Sequence, residues 1–228
     1  MSPDVFLAAY QFDFGPVIEG FPKLMGGLVV TVGLAVATMV VSLPLGLTAA
    51  FARLSPLRPL SIASHLYVDL FRATPILVQI FVIAFGVGPA LGLKIHIFYL
   101  GVVALALNVG AFLAEIFRGA IQSIDRGQRE AAIATGMTEG QAMRRIVLPQ
   151  ALRRSVPLVA AMWVSLFKDT ALLALVGVGE LYLQGYLIML DSFRQVETMA
   201  VVALIYFAVT YPQAILIERL FQRFRVRE

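Results

Sequence analysis

Four stretches of this chain, residues 24–52, 73–93, 95–114 and 198–217, run for twenty residues or more without one charged side chain. A helix needs roughly 20 apolar residues to cross a bilayer core of about 30 Å, so each stretch is long enough to span. A fifth, 155–179, has the same length and character but holds the adjacent pair Lys168 and Asp169. Only 14% of the residues are charged, against about 25% in a soluble domain, too few to coat an aqueous exterior. In lipid an isolated segment crosses as a helix, because its backbone N–H and C=O groups must be satisfied within it. The expected fold is all-α, a polytopic membrane protein with five transmembrane helices. An N-terminal segment would occupy 1–23, the membrane domain 24–222 and a basic tail 223–228.

Residues 1–23 hold Asp4, Asp13 and Glu19 and one late base, Lys23. With no basic stretch ahead of the first apolar run, a retained first span is expected rather than a removable leader. There is no cysteine, which excludes disulfides, thiol catalysis and thiolate metal sites. Small residues recur at helix-packing spacing, Gly33 with Ala37 and then Ala106, Gly110 and Ala114, and suggest close helix contacts. Pro44, Pro75 and Pro212 mark kinks or helix starts.

Lysine and arginine collect in the cytoplasmic loops of membrane proteins. Of the eighteen here, fourteen fall on one side. Arg53, Arg58 and Arg72 lie between spans one and two; Arg118, Arg126, Arg129, Arg144, Arg145, Arg153 and Arg154 lie between three and four; Arg219, Arg223, Arg225 and Arg227 follow span five. Lys23, Lys94 and Arg194 lie opposite, and Lys168 is intramembrane. The N-terminus is therefore expected outside and the C-terminus in the cytoplasm. The net charge of +4 reads as topology and contact with the lipid bilayer, with no nucleic-acid partner required.

The loop over 123–157 is too polar to cross and too regular to be unstructured. Asp125 with Gln128, and Thr138 with Gln141, predict two capping-box helix starts, and Gly136 between them suits a left-handed turn. Pro149 is expected to limit the second helix, and Pro157 to fall in the first turn of span four. In a soluble protein two short helices about a glycine would raise a DNA-binding helix-turn-helix. Held between two spans, they better suit an elbow that receives or transmits a push.

At this loop the residues resemble a known family. Glu130-Ala131-Ala132, then three residues, Gly136, nine more, Ile146, one more, and Leu148-Pro149 match every signature position of the EAA loop in permease subunits of binding-protein-dependent ABC importers. Three further strings are similar to the branch that imports polar amino acids: YVDLFRATPILVQIF over 67–81, AEIFRGAIQSIDRGQREAA over 114–132 and KDTALLALVGVGEL over 168–181. The resemblance covers nearly the whole chain after residue 24. It implies a type I ABC importer permease fold in a bacterial plasma (inner) membrane, with a coupling loop at about 123–154 seated in a groove of a cytoplasmic ATPase. The implied partners are two ATPase subunits, a second permease, identical or homologous, and a periplasmic or extracellular amino-acid-binding protein. Arg129, Glu130, Ala131, Ala132, Gly136, Ile146, Leu148 and Pro149 would carry the coupling, with Glu130 and Arg129 able to pair across the rim of the groove. No GxxxxGK[ST] occurs, so nucleotide would be bound by the partner; the chain is expected to be no enzyme and to hold no cofactor.

An ionisable group at membrane depth costs roughly 2.5–3.5 kcal/mol on insertion scales, which makes Lys168 and Asp169 candidates for function. A zwitterionic amino acid needs a cation for its carboxylate and an anion for its ammonium. In the resembling family the Lys168-Asp169-Thr170 string lies near the translocation path; a bridge to another helix is the alternative. Asn108 and Gln79 are weaker substrate candidates and better suit interhelical hydrogen bonds. Glu115 with Arg118, and Asp69 with Arg72, are expected as i,i+3 ion pairs. His65 and His96 lack a second ligand at metal spacing, so no metal site is expected. A competing reading makes the chain an ion-coupled secondary transporter or channel subunit, with Lys168 and Asp169 relaying ions. An intramembrane enzyme fits worst, for want of cysteine, paired histidines or a placed carboxylate pair.

Overall fold

The computed structural model describes residues 11–90, 92 and 94–224, with side chains as far as 219. The first ten residues, Leu91 and Leu93 at the expected end of span two, and the tail from 225 lie outside the described residues, as does the Arg223 side chain. Among the described residues regular structure is helical throughout. A short α1 (Gly15–Glu19) leads into α2 (Phe21–Arg53), then α3 (Arg58–Ala73) and α4 (Ile76–Phe81), which runs on through a π-helical Val82–Val87 and a last turn, Gly88–Ala90. α5 (Ile97–Gln122) is followed by α6 (Arg126–Ala134) and α7 (Glu139–Ala142). A π-helical Met143–Val147 joins α7 to α8 (Leu148–Asp169), which tightens into a 3₁₀ stretch, Thr170–Val176. α9 (Leu181–Ser192) and α10 (Gln195–Phe224) complete the chain.

Among the described residues four continuous helical segments are long and apolar enough to cross a membrane, and the pair α3–α4, bent by 111°, passes the same test together as a broken span or a re-entrant loop. The expected second span therefore changes shape. Pro75 has no N–H and disfavours a helical conformation at Thr74, which is extended (ψ 147°); the chain turns there, and α3 becomes a separate amphipathic helix. A second correction concerns Pro149 and Pro157. Pro149 does not end the second loop helix, because the wide π turn just before it accommodates the missing donor, and one rod runs from Glu139 to Val176. Pro157 then sits inside α8 rather than in its first turn.

The core forms where α2 and α5 lie side by side. Ser42 Oγ is 3.4 Å from the Ala106 carbonyl, and Gly46 meets Gly110, Leu113 and Ala114, so contacts advance in the same direction and the helices are parallel. A Cβ on Gly46 would stand 2.6 Å from Leu113 Cβ and 3.0 Å from the Gly110 carbonyl; one on Gly110 would stand 2.8 Å from Leu45. The stripe Ala106, Gly110, Ala114 is thus a backbone-contact seam, and Leu34, Leu105, Leu113, Leu166 and Leu173 fill the space around it. Gly33, expected to pack with Ala37, faces open space instead. α8 runs antiparallel to α5, with Arg154 bonded to the Ser123 carbonyl (2.6 Å) at one end and Leu173 against Gly101 at the other. α10 joins it through Trp163 Nε1–H donating to Gln213 Oε1 (2.6 Å).

Candidate functional site

The elbow formed by α6 and α7 is built almost wholly from local backbone satisfaction. Asp125 caps α6 by accepting the Gly127 N–H at 2.7 Å; the reciprocal bond of a capping box with Gln128, expected from the sequence, is replaced by this one-sided cap. At the far end Gly136 takes φ 89°, its N–H donates to Ile133 (2.9 Å), and Met137 N–H donates to Ala132 (3.2 Å). These are the paired bonds of a Schellman ending, which needs the left-handed residue. Thr138 and Gln141 form the full reciprocal capping box, at 2.9 and 3.4 Å. Arg129 pairs with Glu139 across the elbow at 2.7 Å.

Only Ala132 and Ala142 of the two helices are buried; Glu130, Ala131, Ala134 and Gly136 are exposed, and Ile133 is 40% exposed. Ile146 and Leu148 are half-buried and Pro149 is exposed on the rod that leaves the elbow. A cluster of Ala120, Ile121, Ile124, Val147 and Ala151 roots the unit to α5 and α8, with Phe51 and Leu54 of α2 beside it. Between elbow and root lies a cavity of about 720 Å³ lined by Leu54, Ile121, Ile124, Asp125, Arg129 and Glu139. An exposed small-residue helix, rigidly held on two spanning rods, can take a push from a soluble partner and deliver it along α8.

At the same end of the bundle, Glu115 gathers three arginines. Arg118 grips it in a bidentate pair at 2.8 and 2.9 Å, Arg53 Nη1 stands 3.1 Å away and Arg72 3.7 Å away. The expected Glu115–Arg118 pair is present. The expected Asp69–Arg72 pair is not, because α3 crosses α2 so that Asp69 meets Arg53 (3.2 Å) while Arg72 reaches Glu115 and lies over the Phe112 ring. The cluster ties α2, α3 and α5 together.

Deeper in the bundle, Asn108 Nδ2 donates to Gln79 Oε1 (2.9 Å) and to the Phe71 carbonyl (3.1 Å), and Gln79 Nε2 donates to Thr74 and Phe71. Their polar atoms satisfy the carbonyls freed at the α3–α4 bend. Lys168 and Asp169 are placed otherwise. Lys168 is exposed, Asp169 is half-buried with Ser165 Oγ at 3.5 Å, and neither makes an ion pair among the described residues. Thr170 is buried, its hydroxyl donating to the Phe167 carbonyl at 2.7 Å. A cation and an anion, neither in an ion pair among the described residues, stand next to one another on a long apolar rod.

Sequence reasoning missed Glu180, which is fully buried. It caps α9 by accepting the Tyr182 and Leu183 N–H groups (2.9 and 2.8 Å), takes the Tyr206 hydroxyl of α10 at 2.8 Å, and has Thr31 Oγ1 of α2 at 3.4 Å. The Thr31 hydroxyl in turn accepts the Leu181 N–H at 3.1 Å. The sequence signal was a carboxylate between Gly179 and the apolar start of α9, at a position where a helix start demands an acceptor.

The family model described as "Binding-protein-dependent transport system inner membrane component" matches residues 42–226. The chain belongs to that family. It is 35% identical over 217 residues to the glutamine transport system permease protein GlnP of Escherichia coli K12, covering 95% of this chain and 99% of the relative. It is 32% identical over 197 residues to the arginine transport system permease protein ArtQ of Bacillus subtilis, covering 86% and 90%. Among solved structures it superposes on an amino acid ABC transporter described as crystallised with histidines (TM-score 0.87, 32% identity, 94% of this chain and 100% of the other). The methionine transporter MetNI shares the fold, with a TM-score of 0.69 at 21% identity. The protein is thus a multi-pass membrane permease subunit of an ABC importer, which works with a separate ATPase and a binding protein. It is not the catalytic subunit. The reading as an ion-coupled secondary transporter or channel subunit is set aside by this membership.

Proposed function

We propose that this permease imports a polar amino acid and that Lys168 and Asp169 contact it. The observation that carries the reading is their state on α8, one exposed and one half-buried, without an ion pair to each other or to another helix among the described residues. Burying unpaired charge in lipid is costly, and a zwitterion brings both missing partners at once. The likeness to permeases named for glutamine and arginine transport supports the same substrate class. Thr170 sets the rod's switch to 3₁₀ geometry just beyond the pair, while Asn108 and Gln79 position α4 and α5 beside the path.

The coupling loop, with Glu130, Ala131 and Ala132 on the exposed helix, seats on the ATPase, and Arg129, Gly136, Ile146, Leu148 and Pro149 hold its shape and its joint to α8. Two copies of the chain, or this chain and a homologue, enclose the path with two ATPase subunits. The elbow is cytoplasmic and the N-terminal segment lies outside, the orientation that the arginine distribution favours. Because the chain has no cysteine, an impermeant thiol reagent tests this directly. Glu19→Cys should label in intact cells and Gly140→Cys only after lysis, and the reverse pattern would overturn the orientation.

The substrate assignment is tested in proteoliposomes holding the full importer. Lys168→Ala and Asp169→Ala should each assemble and hydrolyse ATP yet lose uptake of labelled amino acid. Normal uptake in either variant removes that residue from the site, and poor insertion would indicate a structural bridge instead.

A further inference from the structure

We propose that Phe193 is the anchor on which the substrate-carrying binding protein docks at the outer end of this permease, an inference that rests on the importer reading and orientation above. α9 ends at Phe193 with φ 57°, the one positive-φ non-glycine position among the described residues. A bulky aromatic is disfavoured in that conformation, and such strain persists only where the surroundings over-determine it. Here they do. Ser192 Oγ donates to the Ile188 carbonyl (2.7 Å) and accepts the Arg194 N–H (3.3 Å). The Arg194 guanidinium donates to the Gln11 carbonyl (2.9 Å) and stands 3.6 Å from Asp13 and 3.8 Å from Glu197. The polar groups of the turn are drawn inward and the Phe193 ring is left 84% exposed, the highest value of any large apolar side chain described.

Depth decides what that ring meets. α2 has 33 residues, about 50 Å at a rise of 1.5 Å per residue, against a hydrocarbon core of about 30 Å. Its inner end carries the Arg53–Asp69 and Arg53–Glu115 ion pairs, and charged groups favour the edge of the hydrocarbon over its interior. Even at the tilt limit of about 40° its outer end clears the core by several ångströms. Ile188 abuts Gly20, just before α2 begins, and Phe193 follows more than a turn further out, so the ring stands beyond the acyl chains. The segments that meet at this end carry exposed charges of both signs, Asp13 paired with Arg194 (3.6 Å) and then Glu19, Lys23 and Asp191. The chemistry that fits is a soluble protein offering an apolar pocket ringed by charges of both signs, the pattern of a buried aromatic hot spot with a charged rim.

The test uses the complete importer in nanodiscs, titrated with its own binding protein loaded with amino acid, reading stimulation of ATP hydrolysis. Phe193→Asn keeps a residue that tolerates the left-handed backbone and removes the ring; Phe193→Trp keeps an aromatic. The half-saturating concentration of binding protein should rise about tenfold or more in Phe193→Asn, as for loss of a hot spot, stay near wild type in Phe193→Trp, and leave hydrolysis without binding protein unchanged in both. Equal half-saturation in Phe193→Asn and wild type would overturn the anchor, whereas a wild-type complex that its binding protein does not stimulate would refute the importer reading itself. Quenching by brominated lipid of the fluorescence that Phe193→Trp adds to that of Trp163 would place the ring in lipid and also overturn the proposal. Shielding of that fluorescence from aqueous iodide by the binding protein would support it.

Discussion

The α2–α5 seam and the α6–α7 elbow hold their shapes by opposite means. The seam depends on packing: Gly46 and Gly110 bring two backbones into contact, and a buried apolar cluster surrounds them. The elbow has two buried alanines and almost no core, yet both ends of α6 and the start of α7 are satisfied by a side chain or a left-handed turn. A region stabilised by packing has already used its surfaces on itself. One stabilised by capping keeps its outward face for something else, which is what a joint between a membrane pathway and a soluble motor requires.

The largest effect that would break this contrast is expected in the seam. Gly46→Leu drives a side chain into Leu113 and the Gly110 carbonyl, where overpacking costs about 3 kcal/mol and the backbone has nowhere to move. Membrane-inserted, detergent-stable protein should be largely lost, as followed by size-exclusion chromatography. Recovery at wild-type yield would mean that the seam is looser than its contacts indicate. Next comes Gly136→Pro. It fixes φ near −65° where 89° is needed and removes the N–H that Ile133 accepts. The protein should insert and keep the thermal stability of its membrane core, while amino-acid uptake by the importer falls to background. Loss of insertion would show the elbow to be part of the core after all. The smallest effect is Thr138→Ala, which removes one cap worth about 1 kcal/mol. Amide exchange should speed in α7 alone, and faster exchange in α5 as well would break the separation of the two regions.

Much of this was legible in the residues because lipid makes strong demands. The charge-free runs gave the crossings, Gly136 and the Thr138–Gln141 box gave the elbow, and Ala106–Gly110–Ala114 gave the seam. What stayed hidden depends on where helices meet in space. Asp69 and Arg72 sit one turn apart, yet each finds a better partner across a helix crossing. Pro149 looks like a terminator until a π turn accommodates it. α9 is a helix of twelve residues in a stretch for which the residues alone predicted no element, because its start depends on Glu180, whose partners Thr31 and Tyr206 are far away in sequence. The candidate site divides the same way: the elbow's residues follow from spacing, whereas the absence of an ion pair at Lys168 and Asp169 among the described residues required the positions of the other described charges.

The central claim is that the exposed face of α6 seats on the ATPase. It is tested most directly by placing a photo-crosslinker on Ala131→Cys, an exposed position in a chain with no other cysteine, within the assembled, ATP-hydrolysing importer. Illumination should yield one covalent adduct between this permease and the ATPase subunit, and none from Gly33→Cys on the open face of α2. Absence of an ATPase adduct at position 131 in a fully active complex would contradict the account.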